Sequence, residues 1–132
     1  MVRRFETMLR ERPQLPVTTY HLIHGGMCAR TITIPKGAGL TGAQLSLATI
    51  LIVDGDVTMT TGDTSRRLTG YHVLAGSAGR KQGFIAHADT HMTCIFKTLA
   101  QDVESAELEL TGEHGMLCSH FNENIVTITG ET

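Results

Sequence analysis

The chain has 132 residues, of which 41% are hydrophobic and 18% charged, so it can build one globular core and is not a disordered charged tail. Its formal net charge of −2 is too balanced for a protein that binds nucleic acid by neutralising many phosphates. No apolar run approaches the roughly 20 residues of a membrane-spanning helix, and the N-terminus lacks the apolar region of a signal peptide. We therefore expect no nucleic-acid partner, no membrane partner and no secretion by a signal peptide.

The first residues have the pattern of a short amphipathic helix. Phe5, Met8 and Leu9 follow the i, i+3, i+4 spacing, which predicts a helix over about residues 3–10. Two prolines then end it, and residues rich in Thr, Val and Ile begin. We interpret residues 1–16 as an N-terminal arm and 17–132 as a single β domain.

Short β-type segments separated by turn residues fill the rest of the chain. The predicted strands cover about 18–24, 27–34, 46–53, 56–61, 64–69, 71–75, 82–87, 91–98, 105–110, 115–121 and 124–129. Strands this short, with little helix and no repeating strand–helix–strand unit, predict an all-β sandwich or barrel.

Several junctions between these segments carry turn signals. Asp54-Gly55 is the residue pair of a type I′ hairpin turn, and Gly62-Asp63 suits a type II′ turn. Asn122 to Asn124 is expected to close a last hairpin. Ala106, Leu108 and Leu110 alternate with glutamates, which predicts a half-buried strand preceded by a helical turn from Leu99.

A series of short motifs then points to a family. In order along the chain, they are His24 to Gly37, Leu40-Thr41-Gly42, Asp54 to Val57, Gly79-Arg80-Lys81, Ala86 to Thr90, and the acidic segment from Glu104 to Glu109. Their order and spacing resemble small single-domain cupins of tailed bacteriophages, over about residues 20–110. The resemblance implies a cupin-like jelly-roll barrel, also called a double-stranded β-helix, and a phage origin, but no particular activity.

Many cupins hold a divalent metal with three imidazoles and one carboxylate. The resemblance therefore implies metal ligands in two sequence motifs. The first motif window, Gly37 to Gly55, contains no His or Glu, and its one Asp is Asp54 at the expected turn. In the second window Gln82 stands where the family has a His. A divalent ion offered only amide and water ligands stays hydrated, so we expect the usual metal site to be absent and no cofactor to be bound.

One alternative metal site has to be weighed. His87, Asp89 and His91 are spaced i, i+2, i+4, and on a continuous strand all three side chains would project from one face. If residues 88–90 form a turn, the three separate and make local hydrogen bonds instead. We favour the second interpretation and keep the three residues as the fallback metal ligands.

The remaining reactive side chains suggest no catalytic group. Cys94 lies in a strand whose even positions look core-facing, so it is interpreted as a small hydrophobic residue. Cys28 shares one side of its predicted strand with Arg30, Ile32 and Ile34 and is interpreted as a buried thiol. The three cysteines contain no C-x-x-C pair, which argues against a disulfide framework or a zinc site. We interpret the other histidines and a basic pair as solvated or locally hydrogen-bonded: His21, His24, His72, His114, His120 and Arg80-Lys81.

Aliphatic residues fill the window where the cupin ligands were expected. Leu45, Leu47 and the run Ile50 to Val53 indicate a packed interior, and a continuous apolar run is typical of a strand covered on both faces. A jelly roll of this size covers only one face, so we expect a second subunit to cover the other. The N-terminal residues Phe5, Met8 and Leu9 are the predicted oligomer contacts.

These observations favour a non-catalytic structural or adaptor protein that forms homo-oligomers and binds other virion proteins, located in the virion or the host cytoplasm. The alternative is a metal-dependent cupin-type small-molecule enzyme or sensor that uses His87, Asp89 and His91 or a metal-free pocket. A phage protein that inhibits a host factor is a third possibility.

Overall fold

A computed structural model describes residues 18–41, 45–79, 82–110 and 124–128 of the chain. The strands are β1 (Thr19–His24), β2 (Met27–Ile34), β3 (Gly39–Thr41), β4 (Thr49–Thr61), β5 (Thr64–Gly76), β6 (Gln82–Ala86), β7 (Thr90–Lys97) and β8 (Asn124–Ile128), and the helix is α1 (Val103–Leu110). No helix in these ranges has the length and apolar character needed to cross a membrane.

The strands form one curled sheet in the order β3-β6-β4-β7-β2-β1-β8, and β5 pairs with β4. Neighbouring strands are antiparallel except β8, which lies parallel to β1. This arrangement confirms the all-β, cupin-like prediction. The predicted strands at 18–24, 27–34, 82–87, 91–98 and 124–129 match β1, β2, β6, β7 and β8 within two residues at each end.

The long strand β4 corrects the predicted hairpin at Asp54-Gly55. The chain runs straight through this pair, and β4 pairs with β5 residue by residue along its whole length, including Gly55 with Gly70. The predicted segments 46–53 and 56–61 are therefore one strand, as are 64–69 and 71–75. The hairpin turn lies at Gly62-Asp63 as predicted, where Gly62 has a φ of 58°.

The segment predicted as a strand over 105–110 is helix α1. Asp102 accepts a hydrogen bond from the N–H of Ser105 through Oδ1 at 2.8 Å, which is an N-cap interaction. The helix buries Ala106, Glu107 and Leu110, whose spacing follows a helical face, and leaves Leu108 exposed. The strand prediction from the alternating pattern is therefore wrong, and the Asp102 cap is the sequence feature that favours a helix.

Two clusters on the inner, concave face of the sheet form the core. One cluster lies mainly between β4, β6 and β7, and the other joins β1, β2 and β7 to helix α1. The buried members are Ile34, Leu51, Val53, Val57, Leu68, Phe84, Ala86 and Met92 in the first, and Ile23, Cys28, Phe96, Ala106 and Leu110 in the second. Strand β3 was not predicted from the sequence.

The predicted N-terminal arm, with Phe5, Met8 and Leu9, lies outside the described residues, as do the predicted strand at 115–121 and most of the last hairpin turn. The division into 1–16 and 17–132 therefore stays a prediction.

Candidate functional site

His87, Asp89 and His91 lie at the bend between β6 and β7, where they do not share one strand face. His87 and Asp89 precede β7, and His91 is its second residue. Each has its own hydrogen bond: Thr58 Oγ1 with His87 Nε2 at 2.7 Å, the N–H of Lys36 with Asp89 Oδ1 at 2.9 Å, and Thr33 Oγ1 with His91 Nδ1 at 2.8 Å.

The described residues do not fit the metal centre that the cupin fold implies. In the ranges 18–41, 45–79 and 82–110, no group of three or more His, Cys, Asp or Glu residues is placed to hold a metal. At the two motif windows the inner face carries Leu51 and Val53 from β4 and the amide of Gln82 from β6. We therefore derive no chemistry through a metal.

A small cavity of about 220 Å³ lies on the inner face between β4, β5 and β6. Its lining includes the apolar side chains of Leu51, Met59 and Leu74, together with Gln82 and Arg66. The Gln82 amide donates to Thr61 Oγ1 at 3.3 Å, which holds it within the sheet. A guanidinium at the edge of an apolar cavity repels divalent cations and suits a small neutral or anionic molecule.

Helix α1 is fastened to the inner face by a buried ion pair. Arg30 Nη2 of β2 lies 3.4 Å from Glu107 Oε2, and their side chains are only 11% and 3% exposed. Water is largely excluded from this contact, so the two charges stabilise each other there. The pair positions the helix over the second core cluster. Sequence reasoning missed it because residues 105–110 were assigned to a strand.

The two described cysteines have the environments predicted for them. Cys28 is buried and Cys94 half-buried, and both pack within the core. Burial raises the pKa of the Cys28 thiol to about 11, against the opposing effect of the Arg30 charge. The Cys28 thiol is protonated at neutral pH, and a protonated thiol is a poor nucleophile.

The other predicted polar residues are scattered. His21 is buried in β1, and His24 is exposed at the end of the same strand. His72 Nε2 lies 2.8 Å from the backbone carbonyl oxygen of Thr69 on β5. Arg80, Lys81, His114, Cys118 and His120 lie outside the described residues.

The convex face of the sheet carries an apolar surface that the described residues leave uncovered. One register row crosses five strands, β1, β2, β7, β4 and β5, and every position in it is apolar: Leu22, Ala29, Ile95, Ile50 and Ala75. Within β4, Leu51 and Val53 are buried but Ile50 is 50% exposed, so the described residues cover one face of the strand, and a second subunit over the other face stays a prediction.

The next two rows are mixed: the first includes Thr31 and Thr93, and the second includes Thr33, His91 and Asp54. Tyr20 lies at the β1 end of the first of them, while Val73 and Tyr71 lie at their β5 ends with exposures of 58% and 65%. We call Tyr20, Leu22, Ile50, Tyr71, Val73, Ala75 and the intervening apolar positions the outer apolar face. Five strands about 4.8 Å apart and three rows about 6.8 Å apart give the surface that contains this face an area of roughly 480 Å², polar positions included. Apolar side chains that are exposed next to one another, with polar residues at one side, are typical of an interaction surface.

Comparison with known proteins identifies solved structures that have a similar fold. No protein-family model matches the chain, and no curated protein sequence matches it. Solved structures do: a cupin superfamily protein from Desulfitobacterium hafniense shares 16% identity at a TM-score of 0.55, covering 67% of this chain and 83% of that one. KdgF from Halomonas sp. shares 15% identity at 0.54, covering 68% and 87%.

A third similar structure names the architecture. It is an RmlC-like cupin family protein with a double-stranded β-helix fold from Methanocaldococcus jannaschii, with 13% identity, a TM-score of 0.53, and coverage of 67% of this chain and 85% of that one. At such identities the likeness concerns the fold alone. The curled sheet, its strand order and these neighbours together establish that the chain has a cupin-like, double-stranded β-helix fold.

Proposed function

We propose that this chain is a non-catalytic structural or adaptor protein that assembles with further copies of itself through the outer apolar face. The observation that supports this most directly is the uninterrupted apolar row from Leu22 to Ala75, which crosses five strands on the convex side of the sheet. A row of this kind costs free energy when it faces water, and burying it against a second copy recovers that cost.

The size of the surface that contains this face agrees with such an assembly. Two copies, each contributing roughly 480 Å², bury about 1,000 Å² in total, which is near the lower limit of a specific interface. The interface is isologous, because the same patch serves both partners.

We further propose that the protein is a component of a tailed-phage particle, where it binds other virion proteins. This proposal rests on the resemblance of the motifs between His24 and Glu109 to small phage cupins. Mass spectrometry of purified particles against infected-cell lysate tests it. Detection in purified particles in stoichiometric amount is expected, and detection in the lysate alone would contradict it.

Light scattering coupled to size exclusion tests the self-association. The wild-type chain is expected to form a dimer or larger oligomer at micromolar concentration, and Ile50→Lys is expected to shift it towards monomer. Leu108→Lys is the matched control, because Leu108 is 55% exposed on α1, away from the outer apolar face. A monomeric wild type, or equal assembly of wild type and Ile50→Lys, would overturn the proposal.

A second candidate function is favoured by the cavity beside Arg66: a metal-free cupin-type enzyme or sensor for a small neutral or anionic molecule. The metal-dependent form of this candidate has no such support among the described residues. For the metal-dependent form, elemental analysis discriminates. About one transition metal per purified chain, lost on His87→Ala, would replace the structural proposal with this one.

A further inference from the structure

Among the strands that the structure describes, β5 lies at an edge of the sheet. It runs from Thr64 to Gly76 and pairs with β4 along one side. No strand within the described ranges pairs with its other side. An open edge presents a row of backbone N–H and C=O groups that can accept another strand.

The hairpin geometry shows which residues of β5 face the open edge. Thr61 and Thr64 flank the two-residue turn, so they form a hydrogen-bonded pair and Thr64 points its backbone groups towards β4. Successive residues of a strand direct their N–H and C=O groups to opposite sides. The even-numbered residues of β5 therefore direct these groups towards β4. The odd-numbered residues Thr69, Tyr71, Val73 and Ala75 therefore point their N–H and C=O groups to the open edge.

Asp56, which pairs with Thr69 across the two strands, verifies this alternation independently. Its N–H donates to Thr90 Oγ1 at 3.1 Å, and its carbonyl oxygen accepts the N–H of His87 at 2.8 Å. Both groups point away from β5, so Thr69 receives no ladder hydrogen bond from β4.

One open-edge position is already blocked. His72 Nε2 donates a hydrogen bond to the Thr69 carbonyl oxygen at 2.8 Å. The accessible part of the edge therefore begins at Tyr71 and continues to Ala75. Within it, the outward side chains are Tyr71, Val73 and Ala75, which are all exposed and all part of the outer apolar face.

Protective devices common on edge strands are missing from this stretch. Proline, a charged side chain or a bulge usually blocks pairing at an exposed edge. Residues 71–75 contain no proline or charged residue, and their register with β4 has no bulge. The basic residues of β5, Arg66 and Arg67, lie near the hairpin end, where Arg67 pairs with Asp56.

We propose that β5 pairs antiparallel with β5 of a second copy, with the twofold axis at Val73. This inference rests on the proposed self-association and adds a second contact to it, which is made by the β5 edge of the sheet and not by the outer apolar face. Because the accessible edge extends from residue 71 to residue 75, its midpoint is residue 73. Val73 then lies opposite Val73 of the second copy, and Tyr71 lies opposite Ala75 of the second copy.

A second copy fits this edge because the pairing is self-complementary. Each residue that offers a free N–H and C=O meets another that does the same, and no charged side chains face each other in this register. The Tyr71 ring covers the small Ala75 of the second copy. The pairing joins two sheets into one, so the two outer apolar faces become a continuous surface, and the contact lies at the β5 end.

Cross-linking at the twofold axis tests the register. Directly opposed, hydrogen-bonded residues have Cα atoms about 5.5 Å apart, which a disulfide spans. Under mild oxidation Val73→Cys is expected to give a covalent dimer, whereas wild type and Tyr71→Cys alone give only background. A mixture of Tyr71→Cys and Ala75→Cys chains is expected to form a mixed covalent dimer.

Proline at the same position tests the backbone contact. Val73→Pro removes an N–H that faces the open edge and not β4, so the fold is expected to survive. The dimer dissociation constant is expected to rise on the order of tenfold or more. Each copy loses the hydrogen bond that its residue 73 N–H donates to the other copy, so two bonds at the axis are lost. Val73→Thr keeps the N–H and the branched shape and is expected to retain the dimer.

The outcomes separate this inference from the proposed function. A wild-type oligomer in which Val73→Cys gives no cross-link above background and Val73→Pro has no effect would overturn the β5 pairing and leave the self-association standing. A monomeric wild type would overturn both. Leu22→Lys, at the β1 end of the outer apolar face, is expected to weaken the contact between the two faces and to leave the Val73→Cys cross-link intact. Loss of the cross-link in this variant would contradict pairing at the β5 edge.

Discussion

Gly55 lies directly against Thr90 at the point where β4 changes its neighbour. Residues 50–54 of β4 pair with β7, and residues 57–61 pair with β6. Between them, Thr90 Oγ1 accepts the N–H of Asp56 at 3.1 Å and donates to the carbonyl oxygen of Ala88 at 2.9 Å. One hydroxyl group thus bridges the gap in the ladder, and it can do so only because residue 55 has no side chain.

We predict that Gly55→Ala destabilises the fold strongly. An added Cβ would lie 2.5 Å from Thr90 Oγ1, 2.7 Å from Thr90 Cα and 2.9 Å from the Asp89 carbonyl oxygen, two of which are backbone atoms that cannot move aside. The expected loss in the free energy of unfolding is about 3 kcal/mol or more. Urea denaturation followed by circular dichroism measures it.

Gly62→Ala is the matched control. Gly62 also has a positive φ, of 58°, but no atom lies within 4 Å of its added Cβ. The cost is therefore the backbone strain alone, about 1–2 kcal/mol. Equal losses for the two variants would show that the contact with Thr90 carries no special constraint.

The error at Asp54-Gly55 shows what could be predicted from the sequence. Alternating Thr, Val and Ile identified most strands, because half-buried strands have that period. Aspartate followed by glycine is a turn signal in the sequence. Residue 55 must instead be glycine because Thr90, 35 positions further along the chain, leaves no room for a side chain there. Only the long-range register shows that close approach.

The sequence indicates that an apolar surface exists, but it does not show which strands form that surface. The apolar run from Ile50 to Val53 correctly indicated that β4 has an apolar side beyond the core. The row that joins Ile50 to Leu22 and Ala75 depends on the order of five strands, which local sequence does not encode. The burial of Cys28 was predictable, because it requires only the alternation within its own strand.

Disruption of the buried ion pair between Arg30 and Glu107 is predicted to detach helix α1. Glu107→Ala leaves the Arg30 guanidinium, whose side chain is 11% exposed, without its carboxylate, and the expected loss is about 3 kcal/mol. The double variant Arg30→Met, Glu107→Leu replaces both charges by apolar groups and is expected to recover most of the stability. If the double variant were as unstable as Glu107→Ala, the pair would not be the cause.

Cys28 is predicted to resist alkylation in the folded chain. Its thiol is buried and its pKa is raised to about 11, so iodoacetamide at pH 8 finds almost no thiolate there. Because the folded pKa lies above the ordinary 9.0, this group's contribution to stability is full below pH 9 and is lost as the pH rises towards 11. Peptide mass mapping with and without urea checks the labelling. Equal labelling of Cys28 in both conditions would contradict it.

The ion pair between Asp56 and Arg67 is predicted to make stability fall in acid. Arg67 Nε and Nη2 donate to the two carboxylate oxygens of Asp56 at 2.9 and 2.8 Å, and this bidentate contact holds the Asp56 pKa below its ordinary 3.8. The folded chain therefore releases this proton more readily than the unfolded chain does. The resulting stabilisation is complete above the ordinary pKa and is lost as the pH falls through the lower, folded value.

Asp56→Asn isolates this contribution. The difference in unfolding free energy between wild type and Asp56→Asn is expected to be small, because the pair is exposed, and constant from pH 7 to about pH 5. It should then shrink as the pH falls through the acid range, and high salt should reduce it throughout. Asp63→Asn, in the hairpin turn, is the control substitution. A difference that grew on acidification would reverse the sign of the linkage and show that Asp56 is stabilised in its protonated form.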